Sequence, residues 1–235
     1  MHKDHEGDEE RGRGDGGPRD DRAGDGETAG GQRGGGTDDG PRDGREDGGL
    51  RGRLVRVGVE LVDAEGAQAL SLREIARRAG VSHGAPRRHF PTHLDLLSAI
   101  ARQGFAELAA RVAAEDRENA GPRERITLLA RVYLDYAGSR RGMYELMFRH
   151  DLLESGRLGL RETSLPLFAR LTELVARVRP GADPVVVAGA LWANLHGIAQ
   201  LRHWGSLRLA TGSADPAPLL AAALDAHLGP AGPTA

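Results

Sequence analysis

Residues 71–90 read SLREIARRAGVSHGAPRRHF, and this stretch decides the fold. Ser71 stands three residues ahead of Glu74. That is the spacing of a capping box, in which the serine oxygen accepts from the Glu74 amide and the glutamate reaches back. Ile75, Ala76 and Ala79 then give a short helix its inner face, and Gly80 ends it. Val81 is an apolar plug in the turn that follows. Ser82 is placed to cap a second short helix over 83–89, with Pro86 in its first turn, where a missing amide hydrogen costs little. Pro91 stops that helix, Thr92 and Asp95 form another cap pair, and a long helix is predicted from 93 to about 117. Two short helices across a Gly-Val-Ser turn describe a helix-turn-helix. Such corners also serve as plain scaffolding, so charge has to separate the two readings.

Charge favours a nucleic-acid face. Residues 50–97 hold Arg51, Arg53, Arg56, Arg73, Arg77, Arg78, Arg87 and Arg88 against five carboxylates. A surplus of this kind releases counterions from a phosphate backbone. Arg87 and Arg88 sit in the second short helix, whereas Arg73, Arg77 and Arg78 fit equally well a solvated outer face of the first. His83, His89 and His93 share the segment, but their spacing crosses a helix break and no carboxylate or thiolate completes a ligand set, so no metal is expected.

The same residues resemble the DNA-binding motif of the TetR/AcrR family of transcriptional regulators. The likeness extends over roughly 50–107, from the apolar pattern Leu54, Val57, Leu61, Val62 ahead of the motif to Leu96 and Leu97 behind it. It implies that the helix over 83–89 enters the major groove of double-stranded DNA and that the start of the next helix touches the backbone. Ser82, Gly84, Ala85 and His89 match the family pattern. Carried over position by position, the DNA-contacting set is Ser82, His83, Gly84, Ala85, Arg87, Arg88, His89, Thr92 and His93. Two positions depart. The family usually has tyrosine where Arg87 stands; a guanidinium there reaches phosphate or a guanine edge. It usually has lysine where His93 stands; a histidine carries less charge at pH 7 and is a weaker phosphate anchor.

Beyond the motif the apolar spacing stays helical, giving an all-α chain of about nine helices. Helix one is predicted over 50–65, closed by Gly66. Further helices are predicted over about 122–138, 140–149, 162–179, 184–204 and 216–228, with 150–161 read as a loop. The stretch 184–204 is apolar nearly all round, which calls for burial on every side. In a small domain a second subunit supplies the missing cover. The last two helices are therefore expected to pair with their copies in a homodimer, with Gly189 and Gly197 allowing close approach. Trp192, His196 and Gly197 also resemble the WHG type of TetR-family C-terminal domain, and that likeness implies a ligand cavity. Phe105, Tyr133, Tyr136, Met143, Met147, Phe168, Trp192 and His196 are its expected lining, suited to a small apolar or amphipathic effector, although each also fits an ordinary core.

Residues 1–49 differ from everything after them. They hold 15 Asp and Glu, 8 Lys and Arg and 16 Gly, a net charge of −7, while the rest of the chain carries +5. With Met1, Ala23 and Ala29 as their sole apolar residues they are expected to be disordered. Gly12, Gly14 and Gly17 spell G-x-G-x-x-G, but no strand precedes them and no helix pattern follows, so no dinucleotide site is expected. The organisation expected is a tail over 1–49, a DNA-binding domain over 50–107 and a regulatory and dimerisation domain over 108–229. There are no cysteines, the apolar run 185–195 is too short to span a bilayer, and no secretory pattern opens the chain, so a cytoplasmic protein is expected. The reading is a ligand-responsive regulator, a homodimeric repressor of a pseudo-palindromic operator, with no cofactor and no enzymatic activity. Two alternatives stay open: a helical enzyme using His196 or the His150-Asp151 pair, and an adaptor that binds protein through the acidic tail. No nucleophile triad or phosphate loop supports the first.

Overall fold

A computed structural model describes residues 43–117, 119–155 and 159–230. The tail expected over 1–49 lies outside them except for its last seven residues. Those seven open helix α1, Asp43–Glu65. Helix one was expected to begin at 50, where the apolar pattern begins. Apolar periodicity cannot report a polar first turn. Gly66, at φ 85°, ends the helix as expected.

A single 3₁₀ turn, Ala67–Ala69, leads to α2, Leu72–Arg78, and α3, Ala85–His89. Next come α4, His93–Glu115; α5, Pro122–Ser139; α6, Arg141–Met147; and α7, His150–Ser155. The chain closes with α8, Leu160–Val178; α9, Pro184–His203; α10, Ser206–Thr211; and α11, Ala217–Leu228. The described residues contain no strand, and the all-α class is as the apolar spacing required. The count is eleven α-helices rather than about nine. Two short ones were not foreseen: α7 occupies part of the expected 150–161 loop, and α10 is split from α9 at Gly205, whose φ is 73°.

The helices pack as one unit. Helix α1 rests on α2, α3, α4 and α6; α4 continues against α5, α6 and α8; α9 lies on α5, α8, α10 and α11. Helix α4 therefore runs unbroken through position 107, the expected border between domains. Close backbone approaches fix it. A Cβ on Gly58 of α1 would meet Ile100 Cδ1 at 2.3 Å, and one on Gly104 of α4 would meet Met147 Sδ at 2.6 Å. A Cβ on Gly142 of α6 would meet the Val62 carbonyl oxygen of α1 at 2.5 Å.

Helix α9 is the one described helix long and apolar enough to cross a bilayer. One face, Ala188, Leu191, Leu195, Ile198 and Ala199, is buried in the chain's own core. The expectation of burial all round does not hold within one chain: Val185, Val186, Trp192 and Leu201 on α9 are exposed, as are Trp204 and Leu209 beyond it.

Candidate DNA interface and ligand cavity

The helix-turn-helix is built from local bonds. The Ser71 hydroxyl accepts from the Glu74 amide at 3.1 Å, the first half of the expected capping box. The Glu74 carboxylate is engaged elsewhere. It accepts from Arg77 Nε at 2.9 Å and from Arg78 Nε at 2.7 Å, and Arg78 also reaches Glu65. The hydrogen bond from Arg77, then that from Arg78, draws the Glu74 carboxyl down to about 2. Two of the eight counted arginines are thus paired on the outer face of α2. Gly80 takes a φ of 66° that a side chain would resist, and Val81 donates back to the Ala76 carbonyl at 3.0 Å to close the turn.

Helix α3 starts at Ala85, two residues later than expected. Gly84, not Ser82, is its N-cap, and the Ser82 carbonyl accepts from the Ala85 amide at 3.0 Å as part of a backbone turn. Pro86 is buried, as is Phe90, over whose ring the Arg51 guanidinium sits 5.1 Å from the centroid. Ser82, His83, Gly84, Arg87 and Arg88 are exposed, and Ala85 and His89 are half-buried. Among the described residues no carboxylate pairs with Arg87 or Arg88.

Thr92 and His93 are exposed on the same strip, but both are engaged by the protein itself. Thr92 and Asp95 make the full capping box of α4: the Asp95 amide donates to Thr92 Oγ1 at 3.1 Å and the Thr92 amide to Asp95 Oδ2 at 2.9 Å. The Thr92 hydroxyl donates to the same carboxylate at 2.7 Å. His93 Nε2 lies 3.0 Å from the Leu70 carbonyl oxygen, which ties the start of α4 to the approach to α2. Sequence spacing pairs Thr92 with Asp95 but cannot show a contact across 23 positions.

About 12 residues, or roughly 18 Å, along α4 from His93 the environment reverses. Phe105, Leu108 and Val112 of α4 wall a half-open cavity of about 530 Å³ together with residues of α5, α7, α8 and α9. Of the eight expected lining residues, Phe105, Tyr133, Phe168 and Trp192 line it. The other four do not. Tyr136 is wholly buried elsewhere, with the Arg111 guanidinium 5.0 Å from its ring centroid. Met143 and Met147 are buried against Gly104, filling the space its missing side chain leaves. His196 stands behind Tyr133, its Nδ1 3.0 Å from the Tyr133 hydroxyl and 2.7 Å from that of Tyr144. The two hydroxyls are 2.9 Å apart.

The sequence reading missed Phe148 and Tyr144. Phe148 lines the cavity and is the hub of its aromatic wall, with ring centroids 5.6 Å from Phe105, 6.1 Å from Tyr133, 6.2 Å from Trp192 and 5.0 Å from His196. It follows the last residue of α6, where helical periodicity stops assigning faces. The run of aromatic and sulfur side chains over 143–148 was the available signal. Burial pushes the Tyr133 phenol well above its usual range and that of Tyr144 up to about 12, and it lowers His196. The cluster is therefore two phenols and a neutral imidazole. Among the described residues no group of three or more His, Cys, Asp or Glu is placed to hold a metal. His150 belongs to α7, and the Asp151 carboxylate accepts from Arg149 at 2.6 Å.

Comparison with known proteins bears on both regions. Residues 54–100 match the family model described as bacterial regulatory proteins, tetR family, and residues 126–227 match that described as tetracyclin repressor-like, C-terminal domain. Among solved structures the chain is similar to a protein of unknown function from Rhodococcus sp. RHA1, at 28% identity over 76% of this chain and 93% of that one, with a TM-score of 0.65. It is similar to a TetR-family member from Streptomyces coelicolor A3, at 28% identity over 76% and 98%, TM-score 0.54. It is also similar to the multidrug binding protein EbrR complexed with imidazole, at 29% identity over 78% and 97%, TM-score 0.51. No curated protein sequence matches. A helix-turn-helix that presents exposed arginines, continued by a helical cavity domain, and two family models that between them take in both, give one conclusion: the chain belongs to the TetR family of DNA-binding transcriptional regulators.

Proposed function

We propose that the protein is a homodimeric repressor that releases a pseudo-palindromic operator in double-stranded DNA when a small apolar or amphipathic effector fills the cavity. The observation that carries the reading is the course of α4. Its capped start abuts the exposed strip of α3, and its middle, Phe105 to Val112, walls the cavity. An effector that binds better when α4 is tilted lowers DNA affinity by that difference in binding free energy. The division of labour is a reading domain over 50–107 and a regulatory domain over 108–229, with Arg87 and Arg88 as the principal contacts to DNA. Ser82, His83 and Gly84 lie beside them, and Thr92 and His93 set the pose of α4.

The bare apolar face of α9 supports the dimer. Gly197 on it has nothing within 4 Å of an added Cβ, so a second helix has room to approach there, whereas Gly189 borders the cavity. Two α3 helices one turn of DNA apart then read the two half-sites. The description of EbrR as a multidrug binding protein supports an effector of the apolar class here.

The test is selection of bound fragments from genomic DNA by the full-length protein, followed by gel shift on the winner. A palindromic fragment bound by two chains and lost in the R87A/R88A double variant is expected. Enrichment of no fragment, or an unchanged shift in the double variant, would overturn the reading.

A further inference from the structure

The cavity's polar end has a directionality that narrows the effector's chemistry, an inference that rests on the effector-cavity reading above. Tyr133 is the one member of the Tyr133–Tyr144–His196 cluster that also lines the cavity. Among the described residues, none of the side chains that line it is charged. An ionised effector would leave water with no counter-charge to meet it, a cost no single hydrogen bond returns. Among the lining side chains, polar atoms come from Tyr133, Trp192 and Ser164, and the Ser164 hydroxyl donates to the Arg161 carbonyl at 3.4 Å.

Three close contacts join Tyr133 Oη, Tyr144 Oη and His196 Nδ1, at 2.9, 3.0 and 2.7 Å. A phenol is the stronger acid and an imidazole nitrogen the stronger base, so O–H···N is favoured over N–H···O. Nδ1 therefore accepts, and the ring proton lies on Nε2. The Gln200 side-chain nitrogen stands 3.5 Å from it, and because two donors make no hydrogen bond the Gln200 amide meets that N–H through its oxygen, with the amide group turned. Two phenolic protons then serve three contacts. The shortest contact makes Tyr144 the donor to Nδ1, which leaves Tyr133 to donate to Tyr144 Oη. The alternative order runs Tyr144 to Tyr133 to Nδ1. In both, the Tyr133 proton is used inside the cluster and none points into the cavity. What Tyr133 Oη turns outward is lone-pair density, and the Trp192 indole N–H, also part of the lining, is the neighbouring donor that favours negative charge on it.

We infer that the cavity selects uncharged, mainly apolar molecules that carry a hydrogen-bond donor, O–H or N–H, seated on Tyr133 Oη. A ligand with only an acceptor at that point would face lone pair against lone pair. It would bind only by reversing the buried chain or drawing the Trp192 N–H away, and either change sacrifices a hydrogen bond.

Isothermal titration of the full-length protein with three matched probes tests this: 4-phenylphenol, 4-methoxybiphenyl and biphenyl-4-carboxylate. The phenol is expected to bind at least about tenfold more tightly than its methyl ether, and the carboxylate more weakly than both. In Tyr133→Phe the phenol-to-ether ratio should fall to near one. In the Y144F/H196F double variant, where the Tyr133 proton has no inward acceptor, the preference should turn toward the ether. Equal binding of phenol and ether by the unaltered protein, or tightest binding of the carboxylate, would overturn the inference and leave the effector cavity standing. Binding of none of the three would overturn the inference together with the apolar-effector reading on which it rests. The unaltered protein decides the first comparison, so the test does not depend on either variant folding.

Discussion

The two ends of α4 treat polar side chains in opposite ways. Beside its start, the Arg87 and Arg88 guanidinium groups of α3 are exposed and meet no carboxylate among the described residues, and local caps hold the backbone that carries them. Around its middle and end, polar groups are paired with one another behind an apolar wall. A charge left without a partner inside the chain is held ready for one outside it. A polar group with a partner inside the chain serves stability, or selectivity through the lone pair it has left. Substitutions at the first end should therefore change binding with little effect on folding, and those at the second should do the reverse.

The largest expected effect is at Asp116, which caps the C-terminus of α4. It accepts from Arg125 Nε and Nη2 at 2.6 Å each and from Arg170 at 3.2 Å, and Arg125 is 6% exposed. Asp116→Ala removes two charge-assisted hydrogen bonds from the buried Arg125 guanidinium and should cost about 3 kcal/mol in urea unfolding. The hydrogen bond from Arg125 holds the Asp116 carboxyl below the usual carboxylate range. Its contribution is thus complete above the unfolded-state value, about 3.9, and is lost as pH falls through the lower folded-state value. Asp116→Asn should flatten that acid limb. If D116A unfolds at the same urea concentration as the parent, the pairing is not what secures this end.

Next is the pair Arg87 and Arg88. Two lost contacts to DNA, at about 1–3 kcal/mol each, predict a fall of roughly a hundredfold in operator affinity for R87A/R88A. Stability should move by no more than about 0.5 kcal/mol, because both side chains are exposed and touch no carboxylate among the described residues. A double variant that melts several degrees lower would show these arginines to be structural and would break the contrast between the two ends.

That contrast also explains what could be read from the sequence. The helix-turn-helix is written within 25 residues, since Ser71 with Glu74, Gly80, and Thr92 with Asp95 each act on their own neighbours. Its errors are of one or two positions, as with Ser82, which gives way to Gly84 as the cap of α3. The cavity is assembled from five helices, α4, α5, α7, α8 and α9, whose mutual rotation no local pattern records. Tyr133 and Tyr136 both lie on the inner side of α5 by spacing, yet one lines the cavity and the other is sealed beneath Arg111. Met143 and Met147 have the expected chemistry, but they are needed against Gly104. The short α7 and α10 were missed because a helix of six residues carries too little apolar periodicity to be read.

A smaller effect probes how the two ends are joined. Helix α6 touches both α1 and α4, and Gly142 lets its backbone meet that of α1. A methyl group there would sit 2.5 Å from a carbonyl oxygen that cannot swing away. Gly142→Ala should cost about 1–3 kcal/mol by thermal unfolding. Gly104→Ala should cost less, since its nearest neighbours are the flexible tips of methionines. The opposite ranking would mean that α4, not α6, is the rigid member.

The smallest effect falls on the residue that belongs to both regions. Thr92 lies on the DNA strip, but its hydroxyl and amide are committed to Asp95. Thr92→Ala removes the side-chain half of the box and should lower stability by about 1 kcal/mol. Thr92→Ser keeps the oxygen and should restore most of it. If the hydroxyl acts on DNA only through the cap, T92A should weaken operator binding by less than about threefold, and T92S should bind as the parent does. A loss for T92A approaching that of R87A/R88A, at unchanged stability, would instead make Thr92 a direct contact to phosphate. The rule that groups engaged inside the chain do not bind outside it would then fail at a position where both uses meet.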